Sequence, residues 1–168
     1  MPPMTFTPPR MDATESRAWL ALIATCELLP AALDAELQAD AGMTHFEFQL
    51  LGRLNLASRH TLQMKELAVA TNSSLPRLSK AIKRLEHRGW VSRTPHPEDR
   101  RATNATLTQD GRRAMILATP GHLETVRAGV LEKLSPAQME QLADALEPIV
   151  AGLDPKDHFR LTRAEDAD

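Results

Sequence analysis

Several short secondary-structure elements are predicted one after another in the middle of the chain, and their order restricts the possible folds more than any other feature of the sequence. A short helix is predicted from about Gln63 to Ala70, and a polar turn over 71–74 separates it from a second helix that stops near Gly89. Ser74 is the predicted N-cap of this second helix, since serine hydroxyls accept hydrogen bonds from unpaired N–H groups at helix starts. Two helices joined by a tight turn are typical of a helix-turn-helix.

Beyond Gly89 the spacing of apolar residues changes from helical to strand-like. Residues 90–94 and 103–107 are predicted to form two β-strands, joined by a proline-rich and basic loop over 95–101. The helix-turn-helix is therefore followed by a β-hairpin with a basic tip.

A long amphipathic helix is predicted before this segment, over about 14–40. Its apolar residues recur every three or four positions, which predicts a buried stripe. Pro30 lies within the stripe and predicts a kink or a break, because proline removes a backbone donor and clashes with the preceding turn. The stripe consists of Trp19, Ile23, Cys26, Leu29, Leu33 and Leu37.

Capping patterns mark the remaining helices. Thr44 and Glu47 have the spacing of a capping box, and Thr108 and Ser135 are predicted N-caps of two further helices. The first of these two is predicted to bend at Pro120. The three helices are predicted over about 44–57, 109–134 and 135–151.

Charge is strongly segregated along the chain, although the net charge of the whole is only −2. Between Arg53 and Arg113 there are thirteen basic and five acidic residues, a net charge of +8, whereas the two flanks together carry −10. A positive segment between acidic flanks is typical of a surface that faces nucleic-acid phosphates. A solvated basic face without a partner is the alternative.

Length and composition exclude several classes of protein. A chain of 168 residues with a 42% hydrophobic content has the size of one globular domain. The single cysteine, Cys26, permits no internal disulfide, and no uninterrupted apolar run approaches the ~20 residues that span a bilayer, so we expect a cytoplasmic protein without a membrane partner. No Glu-x-x-His repeat, phosphate-binding glycine loop or paired nucleophile and base is present, which predicts a protein that is not an enzyme and has no cofactor.

This order of elements resembles the MarR family of winged helix-turn-helix transcription regulators, from about Thr14 to Ala151. The most specific part is the segment 85–93 (LEHRGWVSR), followed by 97–101 (PEDRR) and 107–108 (LT). These segments are similar to the end of the family's recognition helix, its wing and the exit from the wing, at the expected spacing.

The resemblance implies a mainly α fold with a small β-hairpin wing. A winged helix-turn-helix lobe (44–108) would join dimerisation helices (14–40 and 109–151) that intertwine with those of a second copy, while 1–13 would form a flexible start and 152–168 a polar tail. Such a homodimer would regulate transcription, most simply as a repressor, by reading a pseudo-palindrome in double-stranded DNA with half-sites about 10 base pairs apart.

The resemblance also implies DNA contacts from the recognition helix. Arg77 and Lys80 lie near its start, where side chains reach base edges in the major groove. Other polar residues of this helix are expected to contact phosphates, which position the protein without reading sequence. These are Ser74, Ser79, Lys83 and Arg84.

The wing contributes a second set of expected contacts. In relatives the arginine of an Asp-Arg pair enters the minor groove and the aspartate orients it, and the matching residues here are Asp99 and Arg100. A narrow minor groove concentrates negative potential, which favours a guanidinium there. Arg101 is expected to contact a phosphate. The alternative interpretation of the Asp99–Arg100 pair is an ordinary turn with an exposed ion pair that has no role in DNA binding.

Many family members are released from DNA by a small phenolic or carboxylate effector bound among the first, second and fifth helices. The residues here that match such a pocket are Trp19, which could stack on a ring, Met43, His45 and Arg59. Each has an alternative as an ordinary core or surface residue.

Three alternatives to release by a small effector are a redox sensor, a zinc-responsive regulator and a protein-binding module. Redox sensing through Cys26 is disfavoured, because the peroxide-sensing branch activates its cysteine with tyrosines and this chain has no tyrosine. A zinc-responsive regulator would use Cys26, His45 and His122. A winged-helix module that binds an acidic protein would tolerate substitution of the wing arginine.

Overall fold

The structure is a computed structural model that describes residues 10–99 and 101–159. It is mainly helical with one small antiparallel sheet, which confirms the predicted fold class. Short 3₁₀ turns at Ser58–His60 and Leu131–Lys133 precede the first strand and the last helix. The elements are α1 (Ala13–Ala41), α2 (His45–Leu56), β1 (Thr61–Gln63), α3 (Met64–Ala70), α4 (Leu75–His87), β2 (Val91–Pro95), β3 (Thr103–Leu107), α5 (Gln109–Gly129) and α6 (Pro136–Leu153).

Local capping determines where most helices begin. The Thr44 hydroxyl accepts a hydrogen bond from the backbone N–H of Glu47, whose carboxylate accepts one from the Thr44 N–H in return. The side chains of Ser74, Thr108 and Ser135 accept bonds from the N–H three residues further on. All four predicted N-caps are therefore confirmed.

The sheet contains one strand that the sequence did not predict. Its order is β1-β3-β2, so β3 pairs on one side with the predicted hairpin partner and on the other with β1. Thr61 lies opposite Thr106, and their hydroxyls are 2.9 Å apart. A strand of three residues is too short to show an alternating pattern, which explains why β1 was missed.

The buried core lies between α2, α3, α4 and the sheet. Its largest fully buried side chains come from α2, α3, α4 and β2, together with the end of α1 and the turn that follows it. They are Leu37, Met43, Leu50, Leu51, Leu54, Leu67, Leu78, Ile82, Leu85 and Val91. The start of α5 is held against this core at Gly111, where an added Cβ would lie 2.1 Å from the Trp90 carbonyl oxygen.

The helix α1 runs through Pro30 without a break and α5 continues through Pro120, so a kink at Pro30 and a bend at Pro120 stay predictions. The helix α5 ends at Gly129, before the predicted Leu134. Glycine disfavours the helical state, so the chain turns there into the 3₁₀ turn before α6.

The predicted stripe of α1 is buried only at its C-terminal end. Leu33 and Leu37 are buried, whereas Trp19 is 49% exposed and Ile23 is 37% exposed. Cys26 is also exposed, so the expectation that it is buried within the chain is wrong. By length and composition α1 would suffice to span a membrane, a test that core helices of soluble proteins also pass.

Candidate nucleic-acid interface

The helix α4 presents one apolar and one polar face, and this division sets the candidate interface. Leu78, Ala81, Ile82 and Leu85 are buried against the core, and Pro76 lies in the first turn, where its missing N–H has no cost. The opposite face carries Arg77, Ser79, Lys80 and Lys83, all exposed. The structure therefore brings four of the predicted contacts onto one solvent-facing surface.

Arg77 is partly oriented by its neighbour on α2. Its guanidinium carbon lies 4.3 Å from the centroid of the Phe46 ring, a cation–π contact. The hydroxyl of Ser74 accepts the Arg77 backbone N–H at 3.4 Å. Ser74 thus caps α4 in addition to any contact with a phosphate.

Arg84 has a structural role that its sequence position did not reveal. Its Nε donates to Oε1 of Glu47 at 2.7 Å, and Glu47 is the one charged residue in the buried set of the described chain. The other Glu47 oxygen accepts the Thr44 N–H. This ion pair joins α4 to the start of α2, so Arg84 is less free than Lys83 to reach a phosphate.

The tip of the hairpin is closed by backbone bonds. The His96 N–H donates to the Ala102 carbonyl and the Ala102 N–H to the Asp99 carbonyl, each at 2.9 Å. Oδ1 of Asp99 accepts the backbone N–H of Arg101 at 2.9 Å, so this aspartate organises the turn itself. Arg101 is exposed, and Arg100 lies outside the described residues.

Two further arginines tie the hairpin to the helices. Arg93 on β2 donates from Nε and Nη2 to one oxygen of Glu86 at 3.1 and 2.6 Å, and these bonds hold the pKa of Glu86 below its usual value. The guanidinium of Arg88 lies 4.6 Å from the Trp90 ring and donates to the Gly42 carbonyl at 2.5 Å. Part of the positive charge in the middle of the chain therefore stabilises the fold.

The residues matched to an effector pocket are not gathered at one place within the chain. Met43 is buried in the core, His45 is half-buried at the start of α2, and Arg59 is exposed in the 3₁₀ turn with a φ of +53°. Trp19 lies in a groove with Met11 and Leu22. This groove is about 33 Å along the α1 axis from the C-terminal end of α1, where the chain continues to Met43 and His45.

A larger open groove, of about 1170 Å³, lies between the lobe and the segment that follows α6. It is lined by α2, β1, α3 and the segment after α6, with Arg53, Leu56, Lys65, Val69 and Lys156 among its residues. The Arg53 guanidinium lies 4.8 Å from the Phe159 ring, and burial lowers the pKa of Arg53. Sequence patterns gave no sign of this groove, because its walls are distant in the chain.

The three residues of the zinc alternative are only partly brought together. The rings of His45 and His122 lie 5.6 Å apart, but Cys26 is ten residues, or about 15 Å, before Glu36 on α1. Across 10–99 and 101–159, no three His, Cys, Asp or Glu side chains are placed to hold a metal ion.

Comparison with known proteins connects this geometry to a family. A model described as MarR family matches residues 41–102. The chain is 37% identical to Sco3205, a MarR family transcriptional regulator from Streptomyces coelicolor solved in complex with DNA; the match covers 90% of this chain and 94% of that one, with a TM-score of 0.82. It is 32% identical to AbsC, a MarR family transcriptional regulator of the same organism, covering 89% and 100% with a TM-score of 0.80.

A curated relative adds a comparison by sequence alone. The HTH-type transcriptional repressor YetL of Bacillus subtilis is 30% identical over 108 residues, and the match spans 64% of this chain and 64% of YetL. The fold and the polar face of α4 define a winged helix-turn-helix protein. The chain belongs to the MarR family of transcriptional regulators, and the matched family and relatives are regulators and not enzymes.

Proposed function

We propose that the chain is a sequence-specific, double-stranded DNA-binding transcriptional regulator. The observation that carries the proposal is the exposed face of α4, where Arg77, Lys80 and Lys83 project from a helix whose other face is locked into the core. An α-helix fits the major groove, and arginine is the usual bidentate partner of guanine. Arg101 in the adjacent hairpin adds a cation on the same lobe.

We infer that the active form is a homodimer. Large apolar side chains on α1, α5 and α6 are exposed in the single chain, and no residue of α6 is buried. They include Trp19, Leu20, Ile23, Leu28, Ile116, Leu117, Leu123, Leu142, Ile149 and Leu153. Exposed large apolar side chains in such number are typical of proteins that form an interface, and a second copy covering α1 is compatible with a cytoplasmic protein.

Two symmetric copies of α4 would read two half-sites about one helical turn apart. We infer that binding represses transcription, by analogy with the repressor YetL, and that a small effector releases the protein. Release requires an effector with a higher affinity for the DNA-free arrangement than for the DNA-bound one. His45, half-buried where α1, α2 and α5 meet, is the predicted effector residue with the most suitable position.

Selection of bound fragments from a genomic DNA pool would test this function. The expected result is a pseudo-palindrome whose half-sites are about 10 base pairs apart. Affinity for the selected fragment should fall with salt, because phosphate contacts release counterions.

Two arginine substitutions test the assigned surfaces. Arg77→Ala should cost about 1–3 kcal/mol of binding and relax specificity at one base, and Arg100→Ala should lower the affinity and reduce the salt slope by about 1. Arg127→Ala removes the same charge from the far end of α5 and should leave the affinity nearly unchanged. Equal losses of DNA affinity in all three variants would contradict the assigned surface. If Arg77→Ala and Arg100→Ala left the DNA affinity unaltered and the chain captured an acidic protein, the protein-binding alternative would be favoured.

A further inference from the structure

Four arginines of the segment 77–93 are held by neighbouring groups, but in two different ways. Three of them donate hydrogen bonds to oxygen atoms of the protein. These pairs are Arg84 with Glu47, Arg93 with Glu86 and Arg88 with Gly42. The fourth, Arg77, lies over the Phe46 ring, 4.3 Å from its centroid, and forms no ion pair within residues 10–99 and 101–159.

This difference decides which donors remain available to another molecule. The attraction between a ring face and a guanidinium does not require an oxygen acceptor. A guanidinium has five N–H donors, and each bond to a carboxylate or carbonyl occupies at least one of them. Arg77 is therefore held by its neighbour while its N–H groups stay available for the bidentate contact that a guanine edge accepts.

The Phe46 ring is a fixed support, because the residues on either side of it are bonded to other helices. The His45 N–H donates to Oδ1 of Asp34 on α1 at 2.9 Å, and the Glu47 carboxylate accepts from Arg84 on α4 at 2.7 Å. The Phe46 side chain itself is half-buried and packs against the hydrophobic core. The position of the ring is thus set by the packing of the lobe and not by solvent.

The start of α4 fixes the other end of the Arg77 side chain. The Arg77 N–H donates to the Ser74 hydroxyl at 3.4 Å, and the next residue, Leu78, is fully buried. The backbone and the guanidinium are both held, although the side chain lies on the exposed face of the helix. An arginine placed in advance avoids the entropy loss that a freely rotating side chain incurs when it meets a base.

We propose that Phe46 is a positioning residue for sequence reading: its ring holds the Arg77 guanidinium on the surface of α4, with the N–H donors available to a base. The proposal rests on the proposed function, in which α4 enters the major groove. Phe46 acts through Arg77 and does not itself touch a base. Its substitution should consequently change sequence discrimination more than it changes general attraction to DNA.

Side-chain NMR of the arginines in the full chain tests the contact without DNA. The Arg77 Nε–H signal, assigned by its loss in Arg77→Lys, should be displaced in the wild type by the ring current of Phe46. Phe46→Leu should remove the displacement, whereas Phe46→Tyr keeps an aromatic face and should retain it. Phe48→Leu is the matched control, because this ring on the same helix lies against His122. An Arg77 signal that is the same in the wild type and Phe46→Leu, with the fold intact by circular dichroism, would overturn the proposal.

Binding to a selected genomic fragment tests the reading role. Phe46→Leu should weaken this binding about fivefold, because Arg77 must then be ordered at the moment of binding. Binding to an unrelated fragment depends on phosphate contacts and should not change. Phe46→Tyr and Phe48→Leu should behave like the wild type on both fragments. An equal loss on both fragments in Phe46→Leu would overturn the positioning role and leave Phe46 as a residue of the fold.

A double-substitution cycle isolates the pair. In the Arg77→Ala background, Phe46→Leu should cause no further loss on the selected fragment, since the group that it positions is absent. A further loss as large as in the wild-type background would overturn the proposal. Absence of selective DNA binding by the wild type, with the NMR displacement present, would instead contradict the proposed function and the reading role with it. Absence of the displacement in a wild type that binds DNA selectively would contradict the positioning role alone.

Discussion

The winged-helix lobe (44–108) and the outer helices α1, α5 and α6 differ in how they bury apolar side chains. In the lobe, α2 buries Leu50, Leu51 and Leu54, and α4 buries four residues in one stripe. In the outer helices, α6 buries no residue and most of α1 is exposed. The lobe therefore contains most of the core, whereas the outer helices have apolar surface that the described residues leave exposed.

This difference indicates how the two regions are stabilised. Core residues of the lobe contribute to the free energy of unfolding of each chain. In the proposed homodimer, apolar residues of the outer helices would contribute mainly to association, so their contribution would depend on protein concentration. The two regions should consequently respond differently to the same kind of substitution.

The largest expected effect comes from a cavity in the lobe. Leu51→Ala removes a fully buried side chain and should lower the free energy of unfolding by about 2–5 kcal/mol, measured by urea denaturation. Leu56→Ala on the same helix, at a position 72% exposed, should have little effect. Similar losses in both variants would show that α2 is not the centre of a self-contained core.

A charge on the outer helices should act on association instead. Leu20→Glu, at a position 65% exposed on α1, should weaken the proposed dimer by about 2–4 kcal/mol, seen as a shift to monomer in sedimentation velocity. Leu56→Glu places the same charge on the lobe and should leave the dimer intact. If the wild-type chain were monomeric at micromolar concentration, the proposed role of the outer helices in association would be contradicted directly.

The ion pair between α2 and α4, in which the Glu47 carboxylate is buried, should matter more than the pair at the hairpin, in which neither partner is buried. Glu47→Gln keeps the size of the side chain but removes the charge facing Arg84, and should cost about 1–3 kcal/mol in thermal unfolding. Glu86→Gln, which faces Arg93 near the surface, should cost less because water screens that pair. The reverse order would mean that Arg84 is mainly solvated.

The smallest effect is expected at the start of α4. Ser74→Ala removes the N-cap hydroxyl and should lower stability by about 1 kcal/mol in denaturant unfolding. Ser79→Ala, an exposed serine within the same helix, serves as the control and should be nearly neutral. If Ser79→Ala cost as much as Ser74→Ala, the capping role would be refuted.

Features set by neighbouring residues were predicted well. The N-caps at Thr44, Ser74, Thr108 and Ser135 and the strand over 103–107 agree with the structure, because capping and periodicity depend on residues only a few positions apart. The exposed face of α4 also follows from its apolar stripe. The burial of Trp19 and Cys26 was predicted wrongly, since an apolar stripe does not specify whether its own chain or another molecule covers it.

The sequence by itself determined the order of the helices and of the two hairpin strands, the basic middle segment and the residues that α4 exposes, since each depends on local pattern or on composition. Only the tertiary structure decided that Glu47 holds Arg84, 37 residues away, and that Arg88 reaches Gly42, 46 residues away. It also decided that Glu36, His45 and His122 meet. Such contacts leave no periodic signal, because they depend on how whole helices pack.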